Sequence, residues 1–138
     1  MTYAGDVDPV RAYQALTDGS GAVLVDVRTR AELAYVGFPD LSGIGRRLIA
    51  IEWQHFPTGA GNPSFLDELE RHDIDRESPV YFICRSGARS RSAAMAATAA
   101  GFTAAFNVAH GFEGPIDATG HRGTVAGWKA DGLPWRQS

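Results

Sequence analysis

Four apolar stretches constrain this chain more than anything else in it. "AVLVDV" at 22–27, "RLIAIEW" at 47–53 and "PVYFIC" at 79–84 are β-branched or aromatic runs without in-and-out alternation, and "AAFNVA" at 104–109 is a weaker fourth. A strand with one wet face alternates polar and apolar residues, whereas a strand buried on both faces does not. Such strands need a layer of structure on each side, and the intervening segments supply helices. Asp8 reads as an N-cap with Pro9 at the first helical position, opening a helix that stops near Gly19. Asn62 and Pro63 offer the same pair of signals before Phe65, Leu66 and Leu69. "ARSRSAAMAATAAGF" predicts an alanine-rich helix that begins near Arg89 and is closed by Gly101. Strands alternating with helices indicate an α/β fold around a mostly parallel sheet. With 138 residues, 44% of them hydrophobic, the chain has material for one core, so a single domain over 1–138 is expected. The glycine-rich stretches at 37–45 and 57–63 read as loops.

A net charge of −3 and a pI near 5.7 exclude the broad basic field that nucleic acid or an anionic membrane requires. The first residues lack the pattern of a signal peptide and no apolar run approaches a bilayer's thickness, so a cytoplasmic protein is expected. One cysteine cannot form an internal disulfide, and the four histidines show no metal-ligand spacing, so no metal site is expected.

Against that acidic background, "ICRSGARSRS" at 83–92 surrounds the single thiol with three arginines. A parallel strand ending at Cys84 places the thiol at the carboxyl edge of the sheet, where open α/β folds bind ligands. The following loop and helix N-terminus can turn backbone N–H groups onto an anion, and the same dipoles favour thiolate over thiol. Arg89 and Arg91 at a helix start oppose the macrodipole unless an anion sits there. The candidate site is therefore Cys84 as nucleophile, with Arg85, Ser86, Gly87, Ala88, Arg89 and Ser90 as the cradle. Arg85, next to the nucleophile, is the candidate residue for binding an anionic substrate. Arg89 is left between substrate contact and pairing with a carboxylate. Asp26 and Trp53, each following a neighbouring strand, are further candidates, while Arg28 and Glu32, four apart, are expected to pair with each other. A phosphate-binding Cys-x5-Arg loop has its arginine six positions after the thiol, but here Arg89 is five positions on. That smaller cradle suits one extra sulfur better than a phosphoryl group.

"CRSGARS", together with "LVDVR" before it and "GWKADGLPW" after it, resembles the rhodanese-like sulfurtransferases, with three motifs in the family's order over nearly the whole chain. The resemblance implies a three-layer fold with a five-stranded, mostly parallel sheet flanked by helices, and a persulfide on Cys84. It implies transfer of a sulfane sulfur from a small anionic donor such as thiosulfate to cyanide, a thiol or a protein cysteine, with no metal or organic cofactor. Two departures stand out: Phe38 replaces the family's usual histidine, and residues 113–126, "EGPIDATGHRGTVA", interrupt a compact turn. The rival readings are a non-catalytic persulfide carrier or anion-binding signalling module, and a cysteine-dependent phosphatase or arsenate reductase.

Overall fold

The structure, a computed structural model, describes residues 2–138. Strand β1 (Gly5–Val7) leads into helix α1 (Pro9–Thr17), then β2 (Val23–Asp26) and α2 (Arg30–Val36). A two-residue strand β3 (Phe38–Pro39) and a 3-10 turn precede β4 (Ile49–Ala50) and α3 (Phe65–Arg71). The chain continues through β5 (Val80–Ile83), α4 (Ala88–Ala99), β6 (Ala105–Val108) and β7 (Trp135–Arg136). Five strands form one parallel sheet in the order β1-β6-β5-β2-β4, and β3 pairs antiparallel with β7 in a separate two-stranded sheet. Among the described residues no helix is long and apolar enough to cross a membrane.

The unalternating runs are explained by a core on each face. Successive side chains of a strand point to opposite sides, so Val80, Phe82 and Cys84 meet Phe65, Ala93 and Ala97 from α3 and α4. Tyr81 and Ile83 meet Leu16 of α1 and the fully buried Trp128 on the other side. Trp128 is anchored by its indole N–H, which donates to Pro134 O at 2.7 Å. The alanines of α4 let that helix lie close on β5 and β6.

Helix α1 starts as expected, with the Asp8 carboxylate accepting from Arg11 N at 2.9 Å. Helix α3 starts two residues later than expected. Asn62 is spent as a cross-link: its Oδ1 accepts from Ser64 N, and its Nδ2 donates to Glu52 O and Glu68 Oε2, each at 2.8 Å. Ser64 is therefore the N-cap, and Leu66 lies on the more exposed side. The run at 47–53 contributes only Ile49–Ala50 as a strand, although Ile51 N and Trp53 N continue along β2 by donating to Asp26 O and Val27 O.

Candidate active site

Cys84 is the first residue after β5, and the alternation of that strand aims its side chain at the N-terminal end of α4. The thiol is buried, at 1% exposure. Gly87, with φ of 117°, turns the loop back into α4 and donates its N–H to Cys84 Sγ at 3.1 Å. The buried Ser90 hydroxyl lies 3.1 Å from Sγ and 2.5 Å from Oδ1 of Asn107, a residue of β6. Arg85, Ser86 and Ala88 face solvent, so the loop presents a polar outer rim over a buried sulfur.

The loop is held from behind by the chain that follows β6. Phe112 N donates to Cys84 O at 2.8 Å, and Glu113 N and Gly114 N donate to Arg85 O at 2.9 and 3.2 Å. These contacts require a close approach at Gly111, where a Cβ would stand 2.4 Å from Cys84 O. Residues 113–126 close on themselves: Gly123 N donates to Glu113 O, Arg122 to Gly114 O, and the Asp117 carboxylate gathers Thr119, His121 and Thr124. Their root thus braces the sulfur loop while their tip stays outside it.

The charges around the loop are paired differently from the sequence expectation. Arg28 does not pair with Glu32. Its guanidinium makes two-pronged contact with Asp26, at 3.0 and 2.7 Å, with both side chains fully buried. It also lies 4.2 Å over the Phe112 ring, and its Nη1 has no hydrogen-bond partner among the described residues. Asp26 thus holds Arg28, which lies against Phe112, the residue whose N–H donates to Cys84 O. Glu32 instead closes the capping box of α2 with Thr29 and takes Arg89 in a bidentate pair at 2.7 and 2.9 Å. Of the two roles considered for Arg89, the structure shows carboxylate pairing, which also offsets the cation at the start of α4. Trp53 packs edge-on against Phe65 at 4.9 Å, in the core layer that contains Cys84. His55 pairs with Glu52, and His121 with Thr119 in the outer loop.

Burial pushes the Glu32 carboxyl up, but the Arg89 guanidinium and the Thr29 N–H more than offset this and hold it at about 2. A depressed carboxyl contributes stability that is complete above its unfolded value and disappears as pH falls through the folded one. Wild type is expected to lose stability between about 4.5 and about 2 through this group. Glu32→Gln is expected to be less stable than wild type at neutral pH, with the difference shrinking across that window. Urea unfolding at a series of pH values checks this, and a difference independent of pH would refute it.

The sequence reading missed Asn107, Gly111 and Phe112. One signal for Asn107 was present: it is the lone amide inside the apolar "AAFNVA" run, and such a group needs a buried partner.

Known proteins resemble this chain over nearly its whole length. A family model described as "STR4 middle domain" matches residues 5–138. The crystal structure of Rv0390 from M. tuberculosis superposes with a TM-score of 0.90 at 54% identity, covering 99% of this chain and 100% of that one. An uncharacterized protein of Rickettsia conorii is 35% identical over 127 residues, which is 91% of this chain and 92% of its own length. The rhodanese-like domain-containing protein 4 of Arabidopsis thaliana is 28% identical over 90% of this chain and 24% of that longer protein. A protein of Allochromatium vinosum named sulfurtransferase is 29% identical over 94% of this chain and 92% of its own length. With the parallel five-stranded sheet, the thiol at its carboxyl edge and a family match over residues 5–138, the chain belongs to the rhodanese-like family of sulfurtransferases.

Proposed function

We propose that this protein, as a single rhodanese-like domain over 1–138, moves a sulfane sulfur from a small anionic donor such as thiosulfate to a thiophilic acceptor through a persulfide on Cys84. The observation that carries this reading is the setting of Cys84 Sγ. It lies 3.1 Å from the Gly87 N–H and 3.1 Å from the Ser90 hydroxyl at the start of α4. The first N–H groups of a helix lack intrahelical partners, and an anionic outer sulfur is a fitting one.

In the first half-reaction the Cys84 sulfur attacks the outer sulfur of thiosulfate. A Cys84 S–S bond forms, the donor's S–S bond breaks, and sulfite leaves with the bonding pair, carrying the thiol proton as hydrogen sulfite where Cys84 starts protonated. In the second, cyanide or a thiolate attacks the outer sulfur and Cys84 departs as thiolate, so the cycle is ping-pong nucleophilic catalysis. Arg85, exposed beside the nucleophile, draws in the anionic donor. Arg89 keeps the cradle in shape through Glu32. The separation of Cys84 and Arg89 favours this chemistry over phosphoryl transfer. A cytoplasmic setting, where thiols stay reduced, suits a cycle that returns a free cysteine.

Intact-protein mass after incubation with thiosulfate tests the reading. Wild type is expected to gain one sulfur atom and to lose it to cyanide with formation of thiocyanate, and Cys84→Ser is expected to gain none. Sulfur uptake by Cys84→Ser, or thiocyanate formation without any adduct on wild type, would overturn the Cys84 persulfide.

A further inference from the structure

A line of polar side chains runs from the exposed edge of the sheet to the nucleophile, and its hydrogen bonds have a direction. Asp6 on β1 stands in register with Asn107 on β6. The Asp6 carboxylate accepts from Asn107 Nδ2 at 3.0 Å and from the Tyr3 hydroxyl at 2.8 Å. The bond from Asn107 holds this carboxyl below the ordinary carboxylate range, with burial opposing and Tyr3 and Arg91 assisting. Asp6 is thus ionised at neutral pH and can only accept.

Three assignments follow from that one fact. The amide nitrogen of Asn107 must face Asp6, because the reversed amide would set two acceptors against each other. The Asn107 carbonyl oxygen, which can only accept, must then face Ser90, 2.5 Å away. Ser90 has a single proton, so that proton goes to Asn107, and a lone pair of Ser90 Oγ is turned toward Cys84 Sγ at 3.1 Å. A lone pair welcomes an S–H donor and repels a bare thiolate.

We propose that Asp6, acting through Asn107 and Ser90, holds the resting Cys84 as a thiol whose proton is donated to Ser90 Oγ. Asp6 and Asn107 are then positioning residues for the nucleophile, and Ser90 is an acceptor toward it rather than a donor. This opposes the pull of the Gly87 N–H and the helix start, which favour the thiolate. On the sulfur-transfer reading, with which this inference is combined, the arrangement has a use. In the persulfide the negative charge sits on the outer sulfur, one bond farther from the Ser90 lone pair, so the relay penalises the bare thiolate more than the loaded form. The resting enzyme is protected from stray electrophiles without losing the charged state it works through.

The test is the pH dependence of alkylation of Cys84 by iodoacetamide, which reacts with the thiolate. Among the described residues Arg89 interacts with Cys84 and in turn with Glu32 and Asp26, Arg91 interacts with Asp6 and the titratable Tyr3, and Arg85 adjoins Cys84; all are unchanged in the variants. Ser90→Ala removes the lone pair and is expected to move the alkylation midpoint to lower pH, with about threefold faster alkylation below the midpoint, the worth of one neutral hydrogen bond. Asp6→Asn frees the Asn107 amide to reverse, lets Ser90 donate to sulfur, and is expected to shift the profile in the same direction. In a Ser90→Ala background Asp6→Asn is expected to add nothing, which separates the relay from simple removal of a negative charge. A midpoint raised or unmoved by Ser90→Ala, or an Asp6→Asn effect that persists at full size in that background, would overturn the proposal. Alkylation needs no sulfur donor. A wild type that takes up no sulfur from any donor would remove the transfer reading and leave the relay standing, and the reverse holds equally.

Discussion

Gly111→Ala is expected to cost about 3–5 kcal/mol of stability and to abolish sulfur loading, the range seen for backbone strain combined with overpacking. The new Cβ would stand 2.4 Å from Cys84 O, 2.7 Å from Arg85 C and 2.7 Å from Arg85 O, on a residue with φ of 61°. All three neighbours are backbone atoms, so no side-chain rotation can relieve the clash. The loop must move away from the strand end, and it then loses the Phe112 N–H bond to Cys84 O that fixes the height of Cys84. Gly132→Ala is the matched control. It has φ of 75° but nothing within 4 Å of the added carbon. It is expected to cost about 1 kcal/mol, from backbone conformation alone. Urea unfolding of the two variants checks the contrast. Equal losses would show that conformation, and not the approach to the sulfur loop, makes the glycine necessary.

Asp26→Ala is the second large effect. Its carboxylate is the ionic partner of Arg28, and both side chains are fully buried. Removing one member of a buried pair leaves the other charge desolvated, which costs about 3–5 kcal/mol. Replacing both members by apolar residues of similar volume, as in Asp26→Leu with Arg28→Met, is expected to recover most of that loss, because the penalty belongs to the stranded charge. Denaturant midpoints of the single and double variants measure it. The double variant carries a further expectation: without the guanidinium 4.2 Å over Phe112, the brace on Cys84 O loosens, so sulfur loading falls even where stability returns. A single variant within about 1 kcal/mol of wild type would mean that water reaches Arg28 and that the pair is not a structural centre.

Both residues bear on what the sequence disclosed. The middle of the sheet was legible because β2 and β5 are buried on both faces, and burial of that kind leaves an unbroken apolar run. The edges were not. β1 has the sequence Gly-Asp-Val and no apolar run at all; it is a strand because β6 lies beside it. β3 and β7 are two residues each, and each exists only through the other. The sulfur loop was legible because its thiol, glycine, arginines and helix start are contiguous. What surrounds it was not, since the Asn107–Asp6 bond joins residues 101 apart. The expected pairing of Arg28 with Glu32 failed for a local reason. Thr29 is the N-cap of α2, so Arg28 lies outside the helix and the four-residue rule of helix faces does not apply to it.

The pairing of β1 with β6 has a consequence for the order in which the molecule forms. Contacts between distant segments must meet a loop-closure cost before they return any energy, and so they are made late. β5, α4 and β6 are consecutive and can assemble with the sulfur loop between them, whereas β1 docks only on a β6 already in place. A newly made chain is therefore expected to seat its cysteine in the loop before Asp6 arrives to set the direction of the relay. With that order, the thiol would be least protected in the interval between those two events.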